Sequence, residues 1–291
     1  MKKVLWTVGL LSAVIGVMYG GYLRIITPRV SVVMLTYKRA DVVSEAIESI
    51  LNQTYKDFEF IILNDGSPDN TDEVINKYQN KDSRIRYYKN AENKGIPYSR
   101  NRAMSLARGK YVMIMDDDDI SLPERMQKQM EFLDENPNID VVIGQIKYLP
   151  KVPLSHDDIA TGLIQYNNVG NANIMYRRNF VKNNNIMYPQ ISYAEDWYFW
   201  LNVLFKGGKF AAISDVILER HDNSVKHYKS NAKETYDKIN EYIGNYFSPD
   251  NPQSFFEADA CTKLNMIKNA PVQIFTSKYL QMLIRSNCPS N

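Results

Sequence analysis

The 291-residue chain is poor in the residues that build disulfide-rich and zinc-binding proteins. It has two cysteines, Cys261 and Cys288, and three histidines, His156, His221 and His227. Two cysteines cannot form a disulfide framework, and no Cys-x-x-Cys pair marks a zinc site. Three histidines also leave too few ligands for a histidine-rich metal site. These classes of protein are therefore excluded.

The chain also lacks a strong charge of either sign. Lys and Arg number 35 and Asp and Glu number 33, so the net charge is +2. Dedicated nucleic-acid binders usually show a strong basic excess, and no nucleic acid is predicted as a partner. Neither a Gly-x-x-x-x-Gly-Lys nor a Gly-x-Gly-x-x-Gly run is present, which excludes P-loop kinases and dinucleotide oxidoreductases.

One long uncharged run stands near the N-terminus, at residues 4–23. Its length at 1.5 Å per residue gives about 30 Å, enough to cross a bilayer core. The run is longer than the apolar part of a typical signal peptide, and no clean cleavage site follows it. We therefore predict a single-pass membrane anchor within residues 1–28, with a cleaved signal segment as the alternative. The flanking basic residues weakly favour a cytosolic position for the rest of the chain.

Strand and helix signals alternate after residue 29. Apolar runs predict strands at residues 30–35, 58–63, 85–88, 110–115 and 140–144, and helical spacing predicts helices at residues 41–53, 71–79, 97–107 and 123–134. This alternation predicts an α/β fold whose sheet is mostly parallel, with helices on both faces. Ligands bind such sheets at the carboxyl ends of the strands, so the loops after the first, second and fourth strands should carry the chemistry.

The second half of the chain is less regular. Strands are predicted at residues 172–176 and 211–218, helices at residues 232–246 and 272–285, and a buried helical face at residues 197–205. No Pro-, Gly- or Ser-rich linker divides the two halves. We therefore predict one compact domain over residues 29–228, followed by a C-terminal helical extension at residues 229–291.

Acidic side chains follow two of the predicted strands. Asp65 comes after the second strand, and Asp116, Asp117, Asp118 and Asp119 (the Asp tetrad) come after the fourth. Four consecutive carboxylates repel one another, so a positive partner must offset them. A divalent cation is the natural partner, because Mg²⁺ is typically held by one or two carboxylates plus substrate phosphates. An acidic loop that begins the next helix is the alternative.

Four motifs in order resemble the family 2 glycosyltransferases of the GT-A fold. They are VSVVMLTYKR, FEFIILNDGSPDNT, NKGIPYSRNRA and GKYVMIMDDDDISLPERM. The later segments SYAEDWYFWL and ILERHDNSV are similar to downstream elements of that family, so the resemblance covers about residues 30–228. It implies a GT-A, Rossmann-like sheet and a metal-dependent, inverting transfer of a single sugar from a nucleotide-diphospho-sugar. The acceptor, a glycan, a lipid or a protein, stays open.

The resemblance also implies a donor site. In this family the loop after the first strand and the acid after the second hold the nucleoside, which here points to Thr36, Tyr37 and Asp65. A carboxylate can accept the imide proton of uracil, so Asp65 favours a UDP-sugar, with a plain turn at Asp65-Gly66 as the alternative. Lys94 and Arg100 would offset the diphosphate charge or contact the base, with an exposed lysine and a solvated arginine as the alternative.

By the same resemblance, Asp118 is the ligand of Mn²⁺ or Mg²⁺. Asp116 and Asp117 would contact the ribose or metal-bound water, and Asp116 is a further candidate ligand. His221 would complete the metal shell or bind a phosphate, and His227 is the runner-up. His221 directly follows an arginine, without the spacer residue that we expect between the two.

Two acids, Glu195 and Asp196, begin the helix that contains Trp197. The family pattern places the catalytic base at Asp196, with Glu195 beside it. An inverting transfer needs one carboxylate to take the acceptor proton during attack on the anomeric carbon. Burial beside Glu195 would raise the pKa of one of the pair. An acidic helix start is the alternative reading.

Three other classes of protein fit the sequence less well than a family 2 glycosyltransferase. A processive polysaccharide synthase would carry a Gln-x-x-Arg-Trp element and several membrane spans, and neither is present. A nucleotide-sugar nucleotidyltransferase would need a glycine-rich phosphate loop, and residues 35–40 contain no glycine. A catalytically inactive sugar-binding or scaffold protein would not need both the Asp tetrad and the Glu195–Asp196 pair, although only activity decides.

Overall fold

The computed structural model describes residues 27–191, 194–220, 232–272 and 274–275. Its strands are β1 (Val30–Thr36), β2 (Phe58–Asn64), β3 (Ile85–Lys89), β4 (Tyr111–Met115), β5 (Asp119–Ser121), β6 (Val141–Ile146), β7 (Ile174–Arg177) and β8 (Phe210–Arg220). Its helices are α1 (Val43–Leu51), α2 (Thr71–Gln79), α3 (Ile96–Ser105), α4 (Arg125–Glu135), α5 (His156–Gln165), α6 (Arg178–Asn183), α7 (Glu195–Phe205), α8 (Ala232–Phe247), α9 (Pro252–Glu257) and α10 (Ala260–Lys268).

The eight strands form one sheet in the order β3-β2-β1-β4-β7-β6-β8-β5. Nearly every residue of β1, β2 and β4 is buried, as expected for parallel strands with both faces covered. Alternate side chains enter two hydrophobic clusters: Val33 and Ile61 lie in one, and Val32 and Phe60 in the other. The apolar runs thus place β1 at the centre of the parallel part.

The sheet is mixed, and the prediction of a mostly parallel sheet was wrong in this respect. Pairs β1–β2, β1–β4, β2–β3 and β6–β8 are parallel, but β4–β7, β6–β7 and β5–β8 are antiparallel. Strand–helix alternation favours parallel pairing, and it is unbroken only as far as β4. After that, β5 follows within three residues and pairs with the distant β8, so alternation no longer fixes strand direction.

The predicted elements are present with ends within two residues, wherever the structure describes them. The sequence did not predict β5 or helices α5, α6, α9 and α10. The helix predicted at residues 272–285 falls almost entirely outside the described residues. Helix α8 packs on α7, where the ring of Phe205 stacks on Tyr246 at 3.8 Å, and α9 packs on α8, where Phe247 stacks on Phe255 at 4.6 Å. The boundary predicted at residue 228, between the main domain and the C-terminal extension, stays a prediction.

The predicted N-terminal transmembrane helix, and with it the membrane localisation, must be corrected. Within the part of the chain that the structure describes, no helix combines the length and the apolar character needed to cross a bilayer. The run at residues 4–23, on which the prediction rested, lies outside the described residues.

Candidate active site

The loops that the sequence singled out lie at one edge of the sheet. Strand β1 is parallel to β2 and β4, so the carboxyl ends of all three meet there. The backbone N–H of Asp65, after β2, donates to the carbonyl of Thr36, at the end of β1, at 2.9 Å. The Asp tetrad begins directly after β4. The structure therefore brings the predicted donor and metal residues of these three loops together.

Asp65 is buried and holds the turn before α3. Its Oδ1 accepts hydrogen bonds from the backbone N–H of Lys94 at 2.9 Å and from Nδ2 of Asn90 at 2.6 Å. Its Oδ2 accepts from the N–H of Gly95 at 2.9 Å. Gly95 has φ 85°, a left-handed conformation that favours glycine. The Asp65 carboxylate thus organises this turn.

Two other donor-site candidates, Lys94 and Tyr37, are more exposed, whereas Thr36 is buried. The side chain of Lys94 points to Glu92, with Nζ 2.5 Å from Oε1, so only its backbone contacts Asp65. Tyr37 presents an exposed ring at the sheet edge, and Nζ of Lys38 lies 5.1 Å from its centroid. An exposed aromatic ring beside buried carboxylates offers a surface on which a base can stack.

The four acids of the Asp tetrad do not form one loop. Asp116, Asp117 and Asp118 connect β4 to β5, whereas Asp119 is the first residue of β5 and pairs with Arg220 of β8. The Asp119 side chain is 1% exposed, and no hydrogen bond reaches either carboxylate oxygen from the described residues. Burial raises its pKa to about 7, which Nε of Arg220, 3.9 Å from Oδ1, only partly opposes.

Guanidinium groups supply the positive charge that the tetrad needs. Arg39 donates from Nη2 to Oδ2 of Asp118 at 3.2 Å, and its Nε lies 3.6 Å from Oδ1 of Asp117. Nη2 of Arg100 lies 3.9 Å from Oδ1 of Asp116. Burial still raises the pKa of Asp117 to about 7 and that of Asp116 above its ordinary value. Sequence reasoning assigned the whole offset to a metal ion and missed Arg39.

Arg125 is a second missed residue. It opens α4 and is fully buried, with Nη2 donating to the carbonyl of Ile114 at 2.8 Å and Nε to Oε1 of Gln129 at 3.2 Å. Burial lowers its pKa to about 9, and the nearby charges of Asp119 and Asp116 act in the opposite direction. In the sequence an arginine in the first turn of a helix looks solvent-exposed, so no signal reveals it.

The predicted base lies beside the tetrad because of Arg100. This arginine is buried over the ring of Tyr188, and its Nη1 donates to Oε1 of Glu195 at 3.1 Å while Nη2 faces Asp116. Glu195 begins α7, and the next residue, Asp196, accepts the N–H of Trp197 at 2.7 Å. Arg100 therefore bridges the end of β4 and the start of α7.

The environment of Asp196 suits a proton acceptor. Burial and the charge of Glu195 raise the pKa of Asp196 to about 6, and Arg100 partly opposes the rise. A base works best when its pKa lies near the working pH. Ala194, which precedes α7, has φ 53°, a conformation that non-glycine residues adopt rarely.

The carboxylates of the tetrad suit a hard cation in ligand type. In the described ranges, no three His, Cys, Asp or Glu side chains are grouped as a metal site. His221 and His227 lie outside those ranges. Mg²⁺ usually needs only one or two protein carboxylates, with water and substrate phosphates completing its shell. Asp118 and Asp116 meet that requirement, so the residues fit a metal that is held jointly with a diphosphate.

Comparison with known proteins identifies the family of the chain. The family model described as Glycosyl transferase family 2 matches residues 31–221. A glycosyltransferase of Methanocaldococcus jannaschii is 47% identical over 125 residues, which are 42% of this chain and 43% of that protein. The Escherichia coli UDP-Glc:alpha-D-GlcNAc-diphosphoundecaprenol beta-1,3-glucosyltransferase WfaP is 34% identical over 191 residues, covering 62% of this chain and 72% of that one. A Haemophilus influenzae glycosyltransferase is 31% identical, with 60% of each chain covered.

Solved structures share the fold. Staphylococcus aureus TarS (residues 1–349) in complex with UDP-GlcNAc matches with a TM-score of 0.65 and 20% identity, covering 89% of this chain and 71% of that one. A Pyrobaculum calidifontis mannosyltransferase in complex with GDP-Man and Mn²⁺ matches with a TM-score of 0.56 and 16% identity, covering 76% and 64%. The chain spans less than two thirds of the length of the M. jannaschii and H. influenzae relatives. The family match covers most of the chain, including the loops of the candidate site, and the chain belongs to glycosyl transferase family 2.

Proposed function

We propose that this protein transfers a single sugar from a nucleotide-diphospho-sugar to a glycan, lipid or protein acceptor, with inversion at the anomeric carbon and with the help of Mn²⁺ or Mg²⁺. The observation that carries the proposal is the bridge made by Arg100, which joins Glu195 to Asp116. Through it, a carboxylate with the pKa of a base lies beside a carboxylate cluster suited to a metal diphosphate.

The donor lies across the carboxyl edge of the sheet in this proposal. The ring of Tyr37 and the turn held by Asp65 receive the nucleoside, with Thr36 behind them. A UDP-sugar is favoured because the E. coli relative is named for UDP-Glc and the TarS structure holds UDP-GlcNAc. Lys94 is exposed at the same turn and can reorient toward an anion.

Asp118 and Asp116 would hold the cation, with Asp117 beside them. When bound, Mg²⁺ or Mn²⁺ neutralises the charge that develops on the leaving diphosphate. The side chains of the protein do the rest: Arg100, which is itself buried, keeps Glu195 next to Asp116. A charge that is shielded from water interacts more strongly with its neighbours than an exposed one.

Asp196 takes the proton in the transfer step. The acceptor hydroxyl oxygen attacks the anomeric carbon from the face opposite the diphosphate, and the bond from that carbon to the diphosphate oxygen breaks. The hydroxyl proton passes to the Asp196 carboxylate, and the electron pair of the broken bond leaves with the nucleoside diphosphate. A pKa of about 6 leaves the carboxylate mostly ionised at neutral pH and still basic enough to accept the proton.

A donor panel tests the proposal. The purified full-length chain is incubated with UDP-, GDP-, dTDP- and CMP-sugars, each with Mn²⁺, Mg²⁺ or a chelator, and release of the free nucleotide is measured. We expect slow hydrolysis of one UDP-sugar that stops with the chelator. Turnover that persists with the chelator would contradict the metal requirement. If no donor turns over and none binds in a metal-dependent way, the chain is an inactive member of its fold.

A further inference from the structure

Arg39 has a backbone held by hydrogen bonds and a side chain that is partly exposed. The N–H of Arg39 donates to Oγ1 of Thr71 at 3.1 Å, and the N–H of Lys38 donates to Oγ of Ser67 at 3.0 Å. These bonds tie the loop after β1 to the segment before α2. The Arg39 side chain itself is 34% exposed, so its guanidinium group can change position by rotation of the side chain alone.

The guanidinium group of Arg39 contacts one oxygen of Asp118, the candidate metal ligand, and one oxygen of its neighbour Asp117. It donates to Asp118 at 3.2 Å and lies 3.6 Å from Asp117. The acids themselves are mostly buried, with side chains 13% and 12% exposed, so few other directions of approach are open. A carboxylate oxygen that binds a divalent cation gains a much stronger partner than a single guanidinium N–H. The cation and Arg39 therefore compete for the carboxylate of Asp118.

The other arginines near the tetrad do not compete with a cation for Asp118. Arg100 and Arg125 are buried, and each donates a hydrogen bond to a group that is not a tetrad carboxylate. Arg220 is partly exposed, but its partner is Asp119 in β5. Among the arginines of the described site, Arg39 is thus the one that can leave the candidate metal ligand.

We infer that Arg39 is a positioning residue that acts as an internal counter-ion: it neutralises Asp117 and Asp118 until a divalent cation arrives with the donor, and then turns its charge to the donor diphosphate. This inference rests on the proposed function. A diphosphate supplies both further oxygens for the cation and a new anion for the displaced guanidinium group. Mn²⁺ alone must therefore bind weakly, and Mn²⁺ and a nucleoside diphosphate must strengthen each other's binding, as linkage requires.

The test measures Mn²⁺ binding to the full-length chain by the electron paramagnetic resonance signal of free Mn²⁺, without nucleotide and with UDP. Arg39→Gln keeps much of the side chain and removes its charge. We expect it to bind Mn²⁺ alone roughly 2- to 10-fold more tightly than the wild type, since a partly exposed ion pair is worth a modest amount. We also expect the gain in Mn²⁺ affinity on adding UDP to shrink. Arg39→Lys, which keeps the charge, should bind Mn²⁺ much as the wild type does.

A matched control removes one positive charge elsewhere. Lys110 precedes β4 at the opposite edge of the sheet, where its Nζ lies 2.8 Å from Oδ1 of Asp134. Lys110→Gln changes the net charge by the same amount and should leave Mn²⁺ binding at the wild-type level. If it tightens Mn²⁺ binding as much as Arg39→Gln does, the effect is one of net charge and the inference is wrong.

Other outcomes also decide. Equal or weaker Mn²⁺ binding by Arg39→Gln, with an unchanged thermal unfolding midpoint, would overturn the counter-ion role. So would absence of Mn²⁺ binding in every variant with and without UDP. The nucleotide-release assay then separates the two ideas: turnover by the wild type keeps the transferase proposal even if Arg39 has no such role. Should Arg39→Gln fail to fold, Arg39→Lys and Arg39→Met provide the same comparison.

Discussion

Both edges of the sheet contain buried acids near arginines, but the acids of the two edges differ in the hydrogen bonds that they accept. At the amino edge, Glu59 of β2 accepts hydrogen bonds from Oγ of Ser31 at 2.6 Å and from the N–H and Nε of Arg108 at 2.7 and 2.9 Å, and it pairs with Arg86. At the carboxyl edge, Asp119 receives no hydrogen bond from the described residues. The Glu59 carboxylate is thus saturated, meaning that protein donors fill its hydrogen-bonding positions, whereas the Asp119 carboxylate is unsaturated.

The pKa values follow this difference. Burial alone would raise the pKa of Glu59, but the bonds from Ser31, Arg108 and Arg86 outweigh it, and the pKa lies below its ordinary value. At the carboxyl edge burial prevails, and the pKa values of Asp119 and Asp196 rise to about 7 and about 6. A saturated acid contributes to stability, whereas an unsaturated one is held ready for a ligand or a proton. We therefore interpret the acids of the amino edge as structural and propose that those of the carboxyl edge are functional.

The largest effect is expected at the functional edge. Asp196→Asn removes the proton acceptor and keeps the shape of the side chain, so kcat should fall by roughly 10²- to 10⁴-fold, the usual worth of a positioned base. Donor binding does not use this group and should be unchanged. Steady-state kinetics with the donor found in the panel and calorimetric titration of UDP with Mn²⁺ measure the two quantities.

Asp134→Asn is the control for that prediction, because Asp134 belongs to the amino edge, where Lys110 and Tyr111 hold it. Its kcat should equal that of the wild type. Full activity in Asp196→Asn would show that another group takes the proton. A loss of UDP affinity as large as the loss of kcat would mean that Asp196 holds the donor instead.

A substitution at the amino edge should change the free energy of unfolding. Glu59→Gln leaves Arg86 and Arg108 without their carboxylate, and breaking a buried pair in this way typically costs roughly 2–4 kcal/mol of unfolding free energy. Urea denaturation at neutral pH measures it. Because the pKa of Glu59 is lowered in the folded state, its contribution is present above the unfolded pKa and fades as the pH falls.

The corresponding acid-to-amide substitution at the carboxyl edge should affect the free energy of unfolding differently. Asp119 has a pKa of about 7, so above that pH its charge is disfavoured by folding. Asp119→Asn should therefore not lower the free energy of unfolding at pH 8. Equal losses of unfolding free energy in Glu59→Gln and Asp119→Asn would contradict the distinction between the two edges.

Much of this arrangement could be predicted from local sequence. Strands β1, β2 and β4 are continuous apolar runs, and parallel pairing sends their loops to one edge, so the meeting of Thr36, Asp65 and the tetrad followed from periodicity alone. The family resemblance added Asp196, whose place beside Asp116 depends on residues far apart in the chain. The placement of both acids is a property of the fold and could not come from spacing.

The rest depended on tertiary contacts that carry no local signal. The burial of Arg125 and the pairing of Arg39 with Asp118 depend on which strands become neighbours. Asp119 seemed to belong to an acidic loop because a strand as short as β5 has no periodicity, and only β8 defines it. The excess of negative charge in the tetrad does indicate that a positive partner is needed. It does not distinguish a metal ion from arginines that lie elsewhere in the chain.

The smallest expected effect concerns the pH dependence of the functional edge. Asp196 must be ionised to act as a base, so kcat/KM of the free enzyme should fall as the pH drops through about 6, the raised pKa of this group. Part of that rise comes from the charge of Glu195, and Glu195 also engages Arg100. Glu195→Gln removes the repelling charge and releases the guanidinium group, and both changes lower the pKa of Asp196.

The acid limb of kcat/KM in Glu195→Gln should therefore move to lower pH, and the variant should keep a larger fraction of its own maximum at pH 5 than the wild type does. The pH profile of Asp134→Asn should superimpose on that of the wild type, because its charge lies at the amino edge. A limb that stays in place in Glu195→Gln would belong to another group, and Asp117, with a pKa of about 7, would be the first to substitute. Movement to higher pH would show instead that Glu195 stabilises the ionised form of Asp196 more than its charge repels it, so that the two carboxylates titrate as a pair.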